Sequence, residues 1–135
     1  MALIQWNDDF SVHVKEIDLQ HMKLVNLINE LHQAMKEAKG KDVVGKILTD
    51  LISYTKFHFT TEERLMKSSN YPDFQNHKLE HENLTQKVIS FQEQFMDGKL
   101  SLPIEVIQFL KDWLLKHIMG SDKKYVPYMA EKATL

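Results

Sequence analysis

A chain of 135 residues suffices for one hydrophobic core and is too short for two independent ones, so a single domain over residues 1–135 is expected. Hydrophobic residues at 43% and charged residues at 27% are ordinary globular proportions, and a net charge of -2 gives no electrostatic reason to expect nucleic acid. Cysteine is absent, which removes disulfides, thiolate metal sites, iron–sulfur clusters and cysteine nucleophiles, and leaves only nitrogen and oxygen ligands for any metal.

The opening Met1-Ala2-Leu3-Ile4 has no basic flank and its apolar run gives way to Asp8 and Asp9, so neither a signal peptide nor a membrane span is expected, and the expected compartment is the cytoplasm. Residues 1–16, with Trp6 and Phe10, read as an arm packed on the domain. A first helix is expected over about 17–39, from the stripe Ile17, Leu24, Ile28, Leu31 and Met35, with Asp18 and Gly40 as its start and stop signals. His21 falls on that stripe.

A second helix, about 42–67, carries Val44, Leu48, Leu51 and Thr55, and the same stripe then lands on His58, Glu62 and Leu65. Ser68 to Asp73 is turn chemistry. The third helix, about 73–97, has the stripe Phe74, His77, His81, Leu84, Val88, Phe91 and Phe95 and ends near Asp97-Gly98. Pro103 suits the first turn of a fourth, about 103–120, with Ile107, Leu110, Leu114 and His117 inward until Gly120-Ser121 weakens it. Short connections make neighbours antiparallel, and the fold class is all-α: an up-down-up-down four-helix bundle with an N-terminal arm.

One buried histidine usually means a hydrogen-bonded ring. Here His21, His58, Glu62, His77, His81 and His117 all occupy apolar stripes, and burying such a group uncompensated would cost several kcal/mol. A cation that takes up the lone pairs removes that cost. The i, i+4 pairs His58/Glu62 and His77/His81 stand about 40° apart around a helix, which is chelating geometry. His117 and Asp122, five apart, stand about 140° apart and converge only if the backbone loosens between them, as Gly120 would permit; the alternative for Asp122 is a solvated residue beside Lys123 and Lys124.

The order Asp18-x-Gln20-His21, His58-x-x-x-Glu62, His77-x-x-x-His81, His117-x-x-x-x-Asp122 resembles the hemerythrin family, in its bacterial single-domain form, over nearly the whole chain. Trp6, Phe10, Phe59, Glu63, Trp113, Ile118 and Tyr125 agree with the same pattern. The resemblance implies two iron ions bridged by an oxo or hydroxo group, Glu62 and Asp122, with His77, His81 and His117 on one iron and His21 and His58 on the other. Ligand chemistry supports that inventory but not the division, and suits zinc, copper or manganese as well. Two octahedral irons offer about twelve positions, of which such a set fills about eleven. The function implied is therefore reversible dioxygen binding for carriage, storage or delivery, without enzyme turnover, to an oxygen-accepting protein that the sequence does not identify. Leu24, Phe59, Trp113, Leu114 and Ile118 are candidates for an apolar oxygen pocket, with plain core packing as the alternative.

Other readings fit less of the sequence. His77-x-x-Glu80-His81 matches a zinc-peptidase signature but leaves His21, His58, Glu62, His117 and Asp122 unexplained, and Glu80 reads as an exposed helix residue. Di-iron oxidases use paired Glu-x-x-His motifs and about four carboxylates, which are lacking here. Sensing of oxygen or nitric oxide, and iron handling, remain alternatives. His32 lies about 16 Å along the helix from His21 and is expected not to be a ligand; His13 is assigned no role.

Overall fold

The computed structural model describes residues 3–37, 39–98 and 104–133, so the first-turn role expected of Pro103 lies outside the described residues. The helices are α1 (Lys15–Lys36), α2 (Lys41–Ser68), α3 (Phe74–Met96), α4 (Ile104–Lys116) and α5 (Lys123–Ala133). A wider π turn, His117–Asp122, joins α4 to α5, so that the two form the fourth rod of the bundle. No strand occurs among the described residues.

Each rod crosses the same three layers, in alternating order. α1 runs from Ile17 in a small apolar cluster, past His21, to Leu24, Ile28 and Leu31 in the large one; α2 returns from Leu48 and Leu51, past His58 and Glu62, to Met66. α3 then passes His77 and His81 before Leu84 and Val88, and the last rod descends from Leu110 and Leu114, past His117 and Asp122, to Tyr125 and Met129. This is an antiparallel up-down-up-down bundle in which a slab of polar residues is enclosed between two hydrophobic layers. The arm is tied on by a reciprocal pair, Ile4 N–H to Asn29 Oδ1 and Asn29 Nδ2 to Ile4 O, both 2.9 Å, and by Trp6 and Phe10, half-buried against the large cluster.

The punctuation differs from expectation in three places. Asp18 does not start α1, which begins earlier at Lys15; its carboxylate instead accepts from Ser11 Oγ (2.6 Å) and Val12 N–H (2.9 Å), clamping the arm. Gly40 does not stop α1 but is the N-cap of α2, its carbonyl accepting from Val43 and Val44 at 3.1 Å. The fourth rod does not end at Gly120 but continues to Ala133. A helical glycine costs about 1 kcal/mol, whereas burying Tyr125 and Met129 returns about 1.5–3 kcal/mol each, so packing wins.

The turn after α2 is a Schellman cap. Asn70, at φ 57°, takes the left-handed position, its N–H bonding Lys67 O at 3.1 Å, and Tyr71 N–H reaches Met66 O at 3.0 Å. Tyr71 and Met66 then share the small apolar cluster, which fixes where α3 enters and hence the height of His77.

Candidate metal centre

Seven side chains from all four rods converge in the polar slab: His21, His58, Glu62, His77, His81, His117 and Asp122, each at most 4% exposed. The Nε2 atoms of His77 and His81 both lie 3.1 Å from that of His117. Each carboxylate divides its two oxygens between two sets of imidazoles. Glu62 Oε2 is 3.3 Å from Nε2 of both His21 and His58, while Oε1 is 3.0 Å from His81 and 3.5 Å from His77. Asp122 Oδ2 is 3.1 Å from His21, while Oδ1 is 2.9 Å from His77 and 3.0 Å from His117. Two ligand groups therefore share a carboxylate, Glu62, His77, His81, His117 and Asp122 on one side and His21, His58 and Glu62 on the other.

The π turn makes this possible. Lys123 N–H bonds Ile118 O, five residues back, and that wider winding puts residues five apart on one face, so Asp122 comes under His117. Gly120 is not the cause: its φ is negative, and a Cβ there would meet nothing within 4 Å.

Glu62 Oε1 and both oxygens of Asp122 are buried without a hydrogen-bond partner. Such orphans cost about 1–3 kcal/mol each, more for charged groups, and a cation satisfies them together. Metal–nitrogen bonds of about 2.1 Å at right angles put neighbouring ligand atoms about 3.0 Å apart, which matches the 3.1 Å spacing of the imidazole nitrogens. The residues fit a metal.

Without one, protons take its place. Burial pushes the His21 and His77 imidazoles down, but a proton on either ring would be bonded and attracted by Asp122 and Glu62, which prevails and raises them to about 9 and about 10. For His58 burial wins and lowers it. Burial likewise works against ionising Glu62 and Asp122, yet the surrounding imidazoles hold both below the usual carboxylate range.

A second layer of residues orients the first. His58 Nδ1–H donates to Gln20 Oε1 (2.8 Å), and His81 Nδ1–H to Glu63 Oε2 (2.9 Å), so both rings turn a bare Nε2 inward. Tyr125, fully buried, donates its hydroxyl to Glu62 Oε2 at 2.9 Å. Phe59 stacks on His81 (3.7 Å, 4°) and Trp113 on His117 (4.5 Å, 13°), fixing both ring planes. Sequence reasoning gave Gln20, Glu63 and Tyr125 no part in the site, because a single residue off the stripe leaves no periodic signal. Glu80 is exposed, as expected, and its carboxylate accepts from Ser121 Oγ at 2.9 Å. His13 is exposed and His32 half-buried, and neither joins a ligand group among the described residues.

Above the slab lies a cavity of about 20 Å³, lined by Leu24, Phe59, Trp113 and Leu114 together with Ile28, Leu51, Thr55, Leu84, Val88 and Leu110. Its one hydroxyl, on Thr55, is spent on Leu51 O at 2.7 Å. Such a space has room for about one water, and its mostly apolar lining offers few polar groups to hold one. Ile118 is fully buried in the large cluster but is not among the lining residues.

The family model described as the hemerythrin HHE cation binding domain matches residues 12–129. The chain belongs to the hemerythrin family. It is 34% identical over 131 residues to a bacteriohemerythrin of Methylococcus capsulatus, covering 96% of this chain and 99% of that one. A bacteriohemerythrin of Stenotrophomonas maltophilia is 34% identical over 125 residues, 93% of this chain and 80% of that one. A solved wild-type hemerythrin superposes with a TM-score of 0.90 at 33% identity, covering 96% and 99% of the two chains. None of the described helices is long and apolar enough to cross a membrane.

Proposed function

We propose that this hemerythrin binds dioxygen reversibly at two iron ions, for carriage, storage or delivery, and does not turn a substrate over. The observation that carries the reading is the division of Glu62 and Asp122, each of which offers one oxygen to the His21 side and the other to the His77 side. That is the arrangement a pair of metals with two bridging carboxylates needs. His77, His81 and His117 would hold one ion and His21 and His58 the other, an inequality that leaves the second with the fewer protein ligands. Iron is chosen over zinc or manganese on family membership, since imidazole and carboxylate serve all of them. When bound, the iron pair supplies the electrons and the coordination position that dioxygen requires.

The protein's own contribution is orientation and exclusion. Gln20 and Glu63 fix two imidazole tautomers, and Tyr125 holds the shared Glu62 oxygen with a proton that it keeps, because burial and the carboxylates push its phenol well above the usual range. Leu24, Phe59, Trp113 and Leu114 border the mostly apolar cavity, which favours a small apolar molecule over an anion. Ile118 would contribute only as the packing behind it. With two carboxylates instead of about four, the site gives less anionic support to oxidising chemistry than the Glu-x-x-His bundles do.

A second reading, oxidase or peroxidase turnover, is favoured by a polar cleft of about 230 Å³ that includes His77, Glu80, Ser121 and Lys124 and could admit water or peroxide. An oxygen electrode separates the two. Reduced, iron-loaded protein that takes up about one dioxygen per two irons and gives it back when the pressure falls is a carrier; continuous consumption in the presence of a reductant makes it an oxidase.

A further inference from the structure

The two halves of the centre are backed differently. On the three-imidazole half, His81 Nδ1–H donates to the carboxylate of Glu63 at 2.9 Å, and His117 Nδ1, buried and without a hydrogen-bond partner, points toward Glu80 Oε2 at 4.0 Å. Glu80 is steadied there by Ser121 Oγ, from the π turn that also carries His117 and Asp122. On the two-imidazole half, His58 Nδ1–H donates to a neutral amide oxygen, that of Gln20, and His21 Nδ1 has no hydrogen-bond partner at all. The amide and the carboxylate select the same tautomer. Only the carboxylate also pushes electron density through the ring onto the ligating nitrogen.

We infer that Glu63, with Glu80 in a lesser part, is a positioning residue that makes the His77, His81 and His117 half the tighter and more electron-rich of the two metal positions. The inference rests on the two-metal reading above. Glu63 acts through a direct hydrogen bond, whereas Glu80 at 4.0 Å acts through its charge alone until it closes on His117. Both carboxylates stand at solvent, 23% and 48% exposed, so neither is needed to fill the core. The consequence is an order of loading, the carboxylate-backed half first, and a difference in reduction potential between the two ions that the count of imidazoles would not by itself set.

The test is a titration of the metal-free full chain with Co²⁺, as a coloured probe, against a competing chelator. Wild type is expected to take up two ions with different affinities. Glu63→Gln keeps an acceptor for His81 but loses the charge, and should weaken the tighter position about 10- to 100-fold while leaving the weaker one unmoved. Glu80→Gln should do the same to a smaller degree, and Glu82→Gln, on the same helix and exposed, should change neither. In the iron-loaded chain the potential should rise in Glu63→Gln, a shift that loss of packing alone would not produce. Should Glu63→Gln fail to fold, Glu80→Gln carries the comparison. Wild-type affinities in both variants, or equal weakening of both positions, would overturn the inference and leave the two-metal reading intact. A wild-type chain that binds fewer than two ions would instead overturn that reading, and this inference with it.

Discussion

Protons and metal compete for the same imidazole nitrogens, and this sets the pH behaviour of the site. His21 and His77, held near 9 and 10 against an ordinary 6.5, stabilise the metal-free fold fully below about pH 6.5 and lose that contribution as pH rises through 9 to 10. Glu62 and Asp122, held down by the same imidazoles, contribute above the ordinary carboxylate range and lose it in acid. Metal must displace the imidazole protons, so its affinity runs the other way and increases with pH. Thermal melts should therefore show the metal-free chain less stable at pH 9.5 than at pH 6 and the metal-induced rise in melting temperature larger at the higher pH; the same rise at both would refute the displacement. Tyr125→Phe removes a hydrogen bond to a buried carboxylate and should cost about 1.5–3 kcal/mol in a denaturant titration, with a loss below about 0.5 kcal/mol showing the bond to be dispensable. Six of the seven converging side chains were legible in the sequence because each interrupts an apolar stripe, whereas Asp122 stood off the stripe and was indicated only by the resemblance. The part played by Glu63 was not legible, since a carboxylate next to Glu62 on an amphipathic helix looks like any solvated residue, and only the approach of α3 brings His81 within 2.9 Å of it.

At the scale of the helix, the π turn is the decisive element. Spacing alone indicates that His117 and Asp122 require a local loosening, and a glycine between them suggests its means. The structure has the loosening but not that cause: the turn is held from both sides, by Leu114 and Ile118 in one cluster and Tyr125 and Met129 in the other. Gly120→Ala should accordingly leave metal stoichiometry unchanged and stabilise the chain by about 0.4–1 kcal/mol, through a less flexible unfolded state. Loss of a bound ion in that variant would restore glycine as the reason for the turn. The continuation through α5 was hidden for a related reason, because local propensity around Gly120-Ser121 argues for a stop and only the buried partners of Tyr125 argue against it. Asp18 shows the same limit at the other end, where an acidic residue near a helix start resembles a cap but clamps the arm instead.

For the whole molecule, stability and function meet at the slab. The bundle encloses charged groups between two apolar layers, so metal binding to the folded chain should raise its stability by about 4 kcal/mol at free metal a thousandfold above the dissociation constant, and a chelator should reverse the gain. The cavity above the slab makes an opposite demand, since widening it admits water. Leu114→Ala should cost about 2–5 kcal/mol and shorten the life of the oxygenated form in air, measured as the rate at which reversibility is lost. An unchanged lifetime would show that the cavity does not guard the site. The central claim is reversible dioxygen binding at two irons. Its most direct test is the visible spectrum of reduced, iron-loaded protein recorded without air, with air and after argon purging, with iron per chain measured on the same sample. The expected result is an absorption band that appears with air and fades under argon at about two irons per chain; prompt oxidation with no band that argon can reverse would contradict it.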